Sequence, residues 1–179
     1  IKDAIFHRAV NIATRYHDLG RIKTNALFIG LNPSYADAEK DDRTLSRCIS
    51  FAKSWGYGGV YMANLFAFVH TQRHEMMKAS DPIGKDNDSH LIRLVSGAGL
   101  VVAAWGNEGR HLKRSTTVRQ LLPESTMCFV LNATGEPKHP LYMKNDSVLI
   151  PLGNIDNCVQ NMNAANDISV SYTHLRAHE

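Results

Sequence analysis

The chain has 179 residues, 44% hydrophobic and 21% charged, an ordinary balance for one soluble domain with a sizeable core. No apolar run approaches the roughly 20 residues that cross a bilayer, so a membrane span is excluded. The formal net charge of +3 permits a polyanionic partner but lacks the clustered excess of a strong nucleic-acid footprint.

Residues 3–17 carry Ile5, Val10, Ile12 and Ala13 at amphipathic spacing, which predicts a leading helix closed by Gly20. Residues 26–31 form a continuous apolar run ended by Pro33, as expected of a strand covered on both faces. Asp41 and Asp42 are suited to cap a helix whose core face is Leu45, Cys48, Ile49 and Ala52. Gly56, Gly58 and Gly59 turn the chain into a second strand over 60–65. A short helix over 73–79 and a longer one over 85–96, with Leu91, Ile92, Leu94 and Val95 inward, precede a third strand over 100–105. Gly106 and Gly109 open a helix to about 122, stopped by Pro123. A fourth strand covers 127–131, and the Pro-rich loop 132–140 follows.

This alternation predicts an α/β fold: a three-layer αβα domain over 1–153 with a mostly parallel four-stranded sheet. Residues 154–179 are expected to be an irregular tail. The last ten, Val170 to Glu179, resemble translated sequencing-adapter read-through and are expected to be foreign to the fold. Cys48, Cys128 and Cys158 have no metal-ligand spacing. Together with the lack of a secretory pattern at the start, this points to a reduced, cytoplasmic setting.

The polar groups that end the strands are the candidate site, because open α/β sheets bind ligands in the crevice at the carboxyl ends of their strands. Asn32 follows the first strand, either to position a water or substrate group or to cap the strand in an Asx-turn. Asn64 sits inside an apolar run, where an amide without partners costs about 1–3 kcal/mol. Its adjacent donor and acceptor suit the edge of a nucleobase, and a loop-anchoring role is the plainer alternative. Trp105-Gly106 ends the third strand as a pocket wall or a core Trp. His139, held between Pro137 and Pro140, is stiffly presented and suited to donate to developing negative charge. Asp37, Glu39, Asp41 and Asp42 form either a metal or ribose site or, as we favour, a solvated loop and helix cap. Arg43 and Arg47 lie one helical turn apart near these acids. Arg110, Lys113 and Arg114 read as a solvated basic face. His70 and His74 have His-x-x-x-His spacing but lack the accompanying Glu of a metalloprotease helix.

The residues Gly30-Leu-Asn-Pro-Ser34, Ala36-Asp37-Ala38, Trp55-Gly-Tyr-Gly-Gly59, Asn64-Leu-Phe-Ala67, Val102-Ala-Ala-Trp-Gly106 and His139-Pro-Leu-Tyr142 resemble the bacterial and phage domain of unknown function 1643 over about residues 25–152. The motif order also resembles, more distantly, the uracil-DNA glycosylase superfamily. Gly30 to Ser34 is similar to its first motif, Asn64 to its base-reading Asn, Trp105-Gly106 to its Trp-Gly strand end, and His139-Pro140 to its last motif. This resemblance implies that fold and cleavage of an N-glycosidic bond on a flipped base. Asn32 would position water and His139 would stabilise the departing base anion. Asn64 would read the base, and Tyr35 or Phe51 would stack on it. Gly30, Pro33, Ser34, Trp105 and Gly106 would line the pocket, with Arg43, Arg47 and Tyr142 as weaker nucleic-acid contacts. Asn32 departs from the Asp of the most active branch and cannot act as a general base. Leu141 and Tyr142 stand where Ser and Pro follow the superfamily's His-Pro.

Three readings stay open: a glycosylase-like enzyme, a non-catalytic nucleobase or nucleic-acid binder, and a metal-dependent nucleotide enzyme using Asp37, Asp41 and Asp42. The first two need no cofactor or metal. The expected partner is nucleic acid or a nucleotide, with no membrane and no evident protein partner.

Overall fold

The computed structural model describes the backbone of residues 8–11 and all atoms of 24–34 and 43–153. Six strands form one sheet: β1 (Arg8–Asn11), β2 (Asn25–Gly30), β3 (Gly59–Asn64), β4 (Leu100–Ala103), β5 (Met127–Cys128) and β6 (Ile150–Pro151). Their order is β1-β3-β2-β4-β5-β6. The pairs β3–β2, β2–β4 and β4–β5 are parallel, and both edges, β1–β3 and β5–β6, are antiparallel. Four helices accompany the sheet: α1 (Arg43–Ser54), α2 (Arg73–Lys78), α3 (Asn87–Gly97) and α4 (Arg114–Arg119). Short 3₁₀ segments cover Asn107–Lys113 and Pro140–Tyr142.

Strand β2 shows why the fold has two buried faces. Successive strand side chains point to opposite sides, and all four of Ala26, Leu27, Phe28 and Ile29 are fully buried. Ala26 and Phe28 pack with Leu45, Cys48, Phe51 and Ala52 of α1. Leu27 and Ile29 pack with Leu91 of α3, Val118 of α4, Met76 and Trp105. Each large apolar side chain so buried contributes about 1.5–3 kcal/mol. From β2 the chain crosses to β3 on one side through α1, then returns over β2 to β4 through α3. Crossovers of one hand running in opposite directions lay their helices on opposite faces. The strand order therefore reverses beside β2, and it is at the carboxyl ends of the strands flanking such a reversal that open α/β sheets bind their ligands.

The sheet has six strands where the sequence predicts four. Residues 8–11 lie within the predicted leading helix, yet they form β1 and pair with the outer edge of β3. That pairing satisfies backbone groups an exposed edge would leave open. Strand β6 is two residues long and ends in Pro151, which an edge strand tolerates. Strand β5 is shorter than predicted, because the carbonyl of Val130 accepts from Lys138 N and Asn132 N donates to Glu136 O, turning 130–138 into a hairpin.

The helix predicted from 107 to about 122 is broken. His111 O accepts from Arg114 N, with Leu112 at φ 51°, ψ 27° and Lys113 at φ 55°, ψ 24°. These are the angles of a type I′ turn, whose central residues are normally Asn or Gly. Left-handed backbone costs other residues about 1–2 kcal/mol each. The basic face predicted over 110–114 is also corrected at Arg114, which is 2% exposed. It donates from Nε to Leu65 O at 2.8 Å and from Nη2 to Asp88 Oδ1. Among the described residues, no helix is long and apolar enough to cross a membrane. Residues 154–179 lie outside the described residues.

Candidate functional site

Parallel register places the strand ends at one level. Gly30 pairs with Asn64 across β2 and β3, and Ile29 pairs with Ala103 across β2 and β4. Beyond the ladder, Leu65 N donates to Gly30 O and Phe66 N to Leu31 O, so both chains continue side by side past the sheet. On the other flank Gly106 N donates to Pro137 O at 2.9 Å, which draws the loop bearing His139 to the end of β4. Asn32, Asn64, Gly106 and the approach to His139 thus share the carboxyl edge.

Asn64 rests directly on Gly30. A Cβ at Gly30 would lie 2.8 Å from Asn64 Oδ1, so only glycine leaves the amide room. The Asn64 backbone carbonyl is held by Asn87 Nδ2 at 3.2 Å, and that amide also donates to Leu65 O at 2.8 Å. The Asn64 side chain is half-buried, and among the described residues none hydrogen-bonds its amide. The loop-anchoring work that the sequence offered to Asn64 falls instead to Asn87, which is buried.

Asn32 is an anchor. Its Nδ2 donates to His70 O at 2.8 Å, Pro33 O at 3.0 Å and Phe68 O at 3.3 Å. Together with His70 N donating to Pro33 O, this ties the chain after β2 to the segment after β3. The three carbonyls settle which end of the amide is nitrogen and leave Oδ1 as the acceptor. Pro33 supplies one of these carbonyls, and Ser34 beside it is exposed.

His139 caps the 3₁₀ segment Pro140–Tyr142, its Nδ1 accepting from Leu141 N at 3.3 Å. With Nδ1 an acceptor, the neutral ring carries its proton on Nε2. Tyr142, 72% exposed, meets the His139 ring edge-on at 5.9 Å. Gly106 has φ 76° and ψ −175°, a conformation essentially confined to glycine; its role is this bend after the Trp.

Other candidates lie elsewhere. Phe51 is 2% exposed and packs against Trp55 at 5.5 Å and Phe129 at 4.5 Å, under the Arg47 guanidinium. It belongs to the core. Trp105 is 1% exposed, with its indole N–H donated to buried Glu136. Arg47 bonds Met143 O and Asn145 Oδ1 and so holds the segment after His139, while Arg43 is exposed. His70 precedes α2 and His74 lies within it, so the two share no helix face. Tyr35, Asp37, Asp41 and Asp42 lie outside the described residues. Among the described residues, a cleft of about 270 Å³ lies at the opposite end of β5, lined by Arg119, Leu122, Pro123 and Thr126 among others. It gathers none of the candidates.

The family model described as protein of unknown function, DUF1643, matches residues 15–141. The chain belongs to the DUF1643 family. Neither a curated protein nor a solved structure matches it. The DUF1643 match includes Gly30, Asn32, Asn64, Trp105, Gly106 and His139 and stops just short of Tyr142. Sequence reasoning missed the buried polar groups that brace this DUF1643 edge: Asn87, Arg114, Ser115 and Glu136. Each sits among exposed-looking polar neighbours in the sequence, and only tertiary packing distinguishes it.

Proposed function

We propose that the carboxyl edge of this sheet is a nucleobase-binding site of glycosylase-like design, taking its base from nucleic acid or a nucleotide. One observation carries the reading: the half-buried Asn64 amide, which no described residue engages, lies on a glycine at the strand-order reversal. A partly desolvated amide with open donor and acceptor is costly unless a ligand completes it. A base edge offers the matching acceptor and donor side by side.

The proposed reaction is hydrolysis of the N-glycosidic bond. The C1′–N bond breaks with its electron pair going to the base, water adds to the oxocarbenium-like sugar carbon, and the proton that the water loses passes through solvent to the departing base anion. Asn32 Oδ1 orients the water, held steady because its Nδ2 is clamped to three carbonyls. His139 Nε2–H donates to the base anion as it leaves. The resemblance of the motif order to the uracil-DNA glycosylase superfamily is what suggests these roles.

Binding without turnover is the second reading. It is favoured by the neutral Asn32, whose donors serve the backbone and whose carbonyl cannot accept a full proton.

The test uses oligonucleotides carrying uracil, other modified pyrimidines or deaminated purines, with abasic sites and retained base scored separately. Base release that disappears in Asn32→Ala and His139→Ala supports the enzyme. Binding without release that disappears in Asn64→Ala supports the binder. Wild-type base binding retained in Asn64→Ala would overturn both.

A further inference from the structure

One carbonyl beside Asn64 takes two side-chain donors. Leu65 O accepts from Asn87 Nδ2 and from Arg114 Nε, each at 2.8 Å. Asn87 Nδ2 also reaches Asn64 O at 3.2 Å. Leu65 N and Phe66 N donate to Gly30 O and Leu31 O, so the main chain from Asn64 to Phe66 is held on both sides. The Asn64 side chain rests on Gly30, and among the described residues none hydrogen-bonds its amide. Its aim is therefore set by the backbone from which it hangs. Asn87 by itself gives Leu65 O a partner, so Arg114 is not needed to satisfy that carbonyl. The Arg114 side chain is nonetheless 2% exposed, and its other contact is Asp88, which is 45% exposed. Strained backbone brings it there. Leu112 and Lys113, neither of them Gly, Asn or Asp, are both left-handed just before it, with the His111 ring on Phe66 at 5.8 Å.

We propose that Arg114 is a positioning residue, which aims the Asn64 amide through the Leu65 carbonyl while Asp88 holds its outer nitrogen. A buried ion pair is a poor source of stability, because desolvation offsets the attraction. What it supplies here is direction. The guanidinium is a rigid planar fork, so binding Asp88 with Nη2 and Leu65 O with Nε fixes the angle at which the carbonyl is met. Backbone strain beside the site is explained if it serves to turn this fork inward. An amide fixed before the ligand arrives binds it without a further ordering cost. Asp88, at the surface end of the fork, is the point from which solvent or a bound partner loosens or tightens the device. The inference deepens the nucleobase-binding reading and rests on it for the ligand that the amide meets.

The test compares wild type with Arg114→Lys, whose single ammonium cannot hold both partners in the fork geometry, and with Asp88→Asn, a milder change at the half-exposed end. Side-chain amide order parameters of Asn64 and Asn32 are measured by ¹⁵N relaxation on the unliganded protein, and uridine and inosine are then titrated. In wild type the Asn64 amide should be rigid, with an order parameter of about 0.8, falling below about 0.6 in Arg114→Lys and part of the way in Asp88→Asn. The Asn32 amide, which has its own three carbonyls, should keep its value in both variants. Nucleoside Kd should rise about tenfold or more in Arg114→Lys, as expected of a misplaced contact group. An unchanged Asn64 order parameter overturns the proposal. So does an equal fall at Asn32, which would make Arg114 a general brace, and so does a loosened Asn64 that binds nucleoside as tightly as wild type. Should Arg114→Lys fail to fold, Asp88→Asn decides by the same signals. A wild type that binds neither nucleoside removes the nucleobase reading, and Arg114 then stands or falls on the two amide order parameters alone.

Discussion

Trp105 and Glu136 meet inside the core, indole Nε1 donating to carboxylate Oε2 at 2.6 Å. The same carboxylate accepts from Ser115 Oγ at 2.8 Å and lies 3.9 Å from the Arg119 guanidinium. Glu136 immediately precedes Pro137, whose carbonyl holds Gly106 N. One buried acid thus joins the end of β4, helix α4 and the root of the loop carrying His139. Glu136→Ala leaves the indole, the hydroxyl and the cation facing a void, and breaking a buried charged network costs about 3–5 kcal/mol. Glu136→Gln keeps an acceptor and should cost visibly less. Urea unfolding of both variants checks this; a loss under about 1 kcal/mol for the alanine would show that the network is not stabilising.

Gly30 and Asn64 separate binding from stability. Gly30→Ala sets a methyl 2.8 Å from Asn64 Oδ1, displacing the amide and costing about 1–3 kcal/mol by overpacking. Asn64→Ala removes an amide that no described residue engages, so its stability should equal or exceed that of wild type. Both should lose base binding. Melting curves and nucleoside titration on the two proteins give the comparison, and an equal loss of stability in both would contradict it.

The clamp at Asn32 requires a donor. Its Nδ2 faces the carbonyls of Pro33, Phe68 and His70, and a carboxylate there has no proton to give. Asn32→Asp should therefore be less stable than Asn32→Ala at neutral pH, because it sets negative charge against carbonyl oxygens, and the alanine should cost about 1–3 kcal/mol. Hydrogen exchange at the His70 amide, which donates to Pro33 O, should accelerate in both. An Asp variant as stable as wild type would mean that the clamp is not needed.

In α2, the Lys78 ammonium hydrogen-bonds the Glu75 carboxylate at 3.2 Å. This contact, then the Lys78 charge, holds the Glu75 pKa below the usual carboxylate range. A carboxyl with a lowered folded pKa favours the fold above its unfolded value. That contribution disappears as the pH falls through the folded value. The pair is exposed, so salt should weaken it. In an NMR titration Lys78→Ala should move the Glu75 carboxyl resonance midpoint upward; an unmoved midpoint would assign the shift to another cause.

Legibility in the sequence followed the range of the interaction. The run Ala26 to Ile29 announces a strand buried on both faces, because alternation fails only where both sides are covered, and the two core clusters divide its residues as that pattern requires. Asn32, Asn64 and Trp105-Gly106 stand out because polar or bending residues end apolar runs. Residues 8–11 look helical in sequence because amphipathic spacing over a short stretch does not reveal an open strand edge nearby. Phe51 is open to stack on a base as far as sequence shows, because the neighbours that enclose it, Trp55 and Phe129, come together only on folding.

From its own chain the protein's apolar periodicity determined an α/β alternation and roughly where β2, β3 and β4 stop, since those depend on neighbours a few residues apart. Tertiary structure alone decided which polar groups are consumed and which stay open. Asn87 relieves Asn64 of anchoring, Asn32 spends its donors on the backbone, and Arg114 turns inward while Leu112 is thrust out. Hydrogen-bond satisfaction is settled by groups far apart in sequence, so no local pattern could assign it.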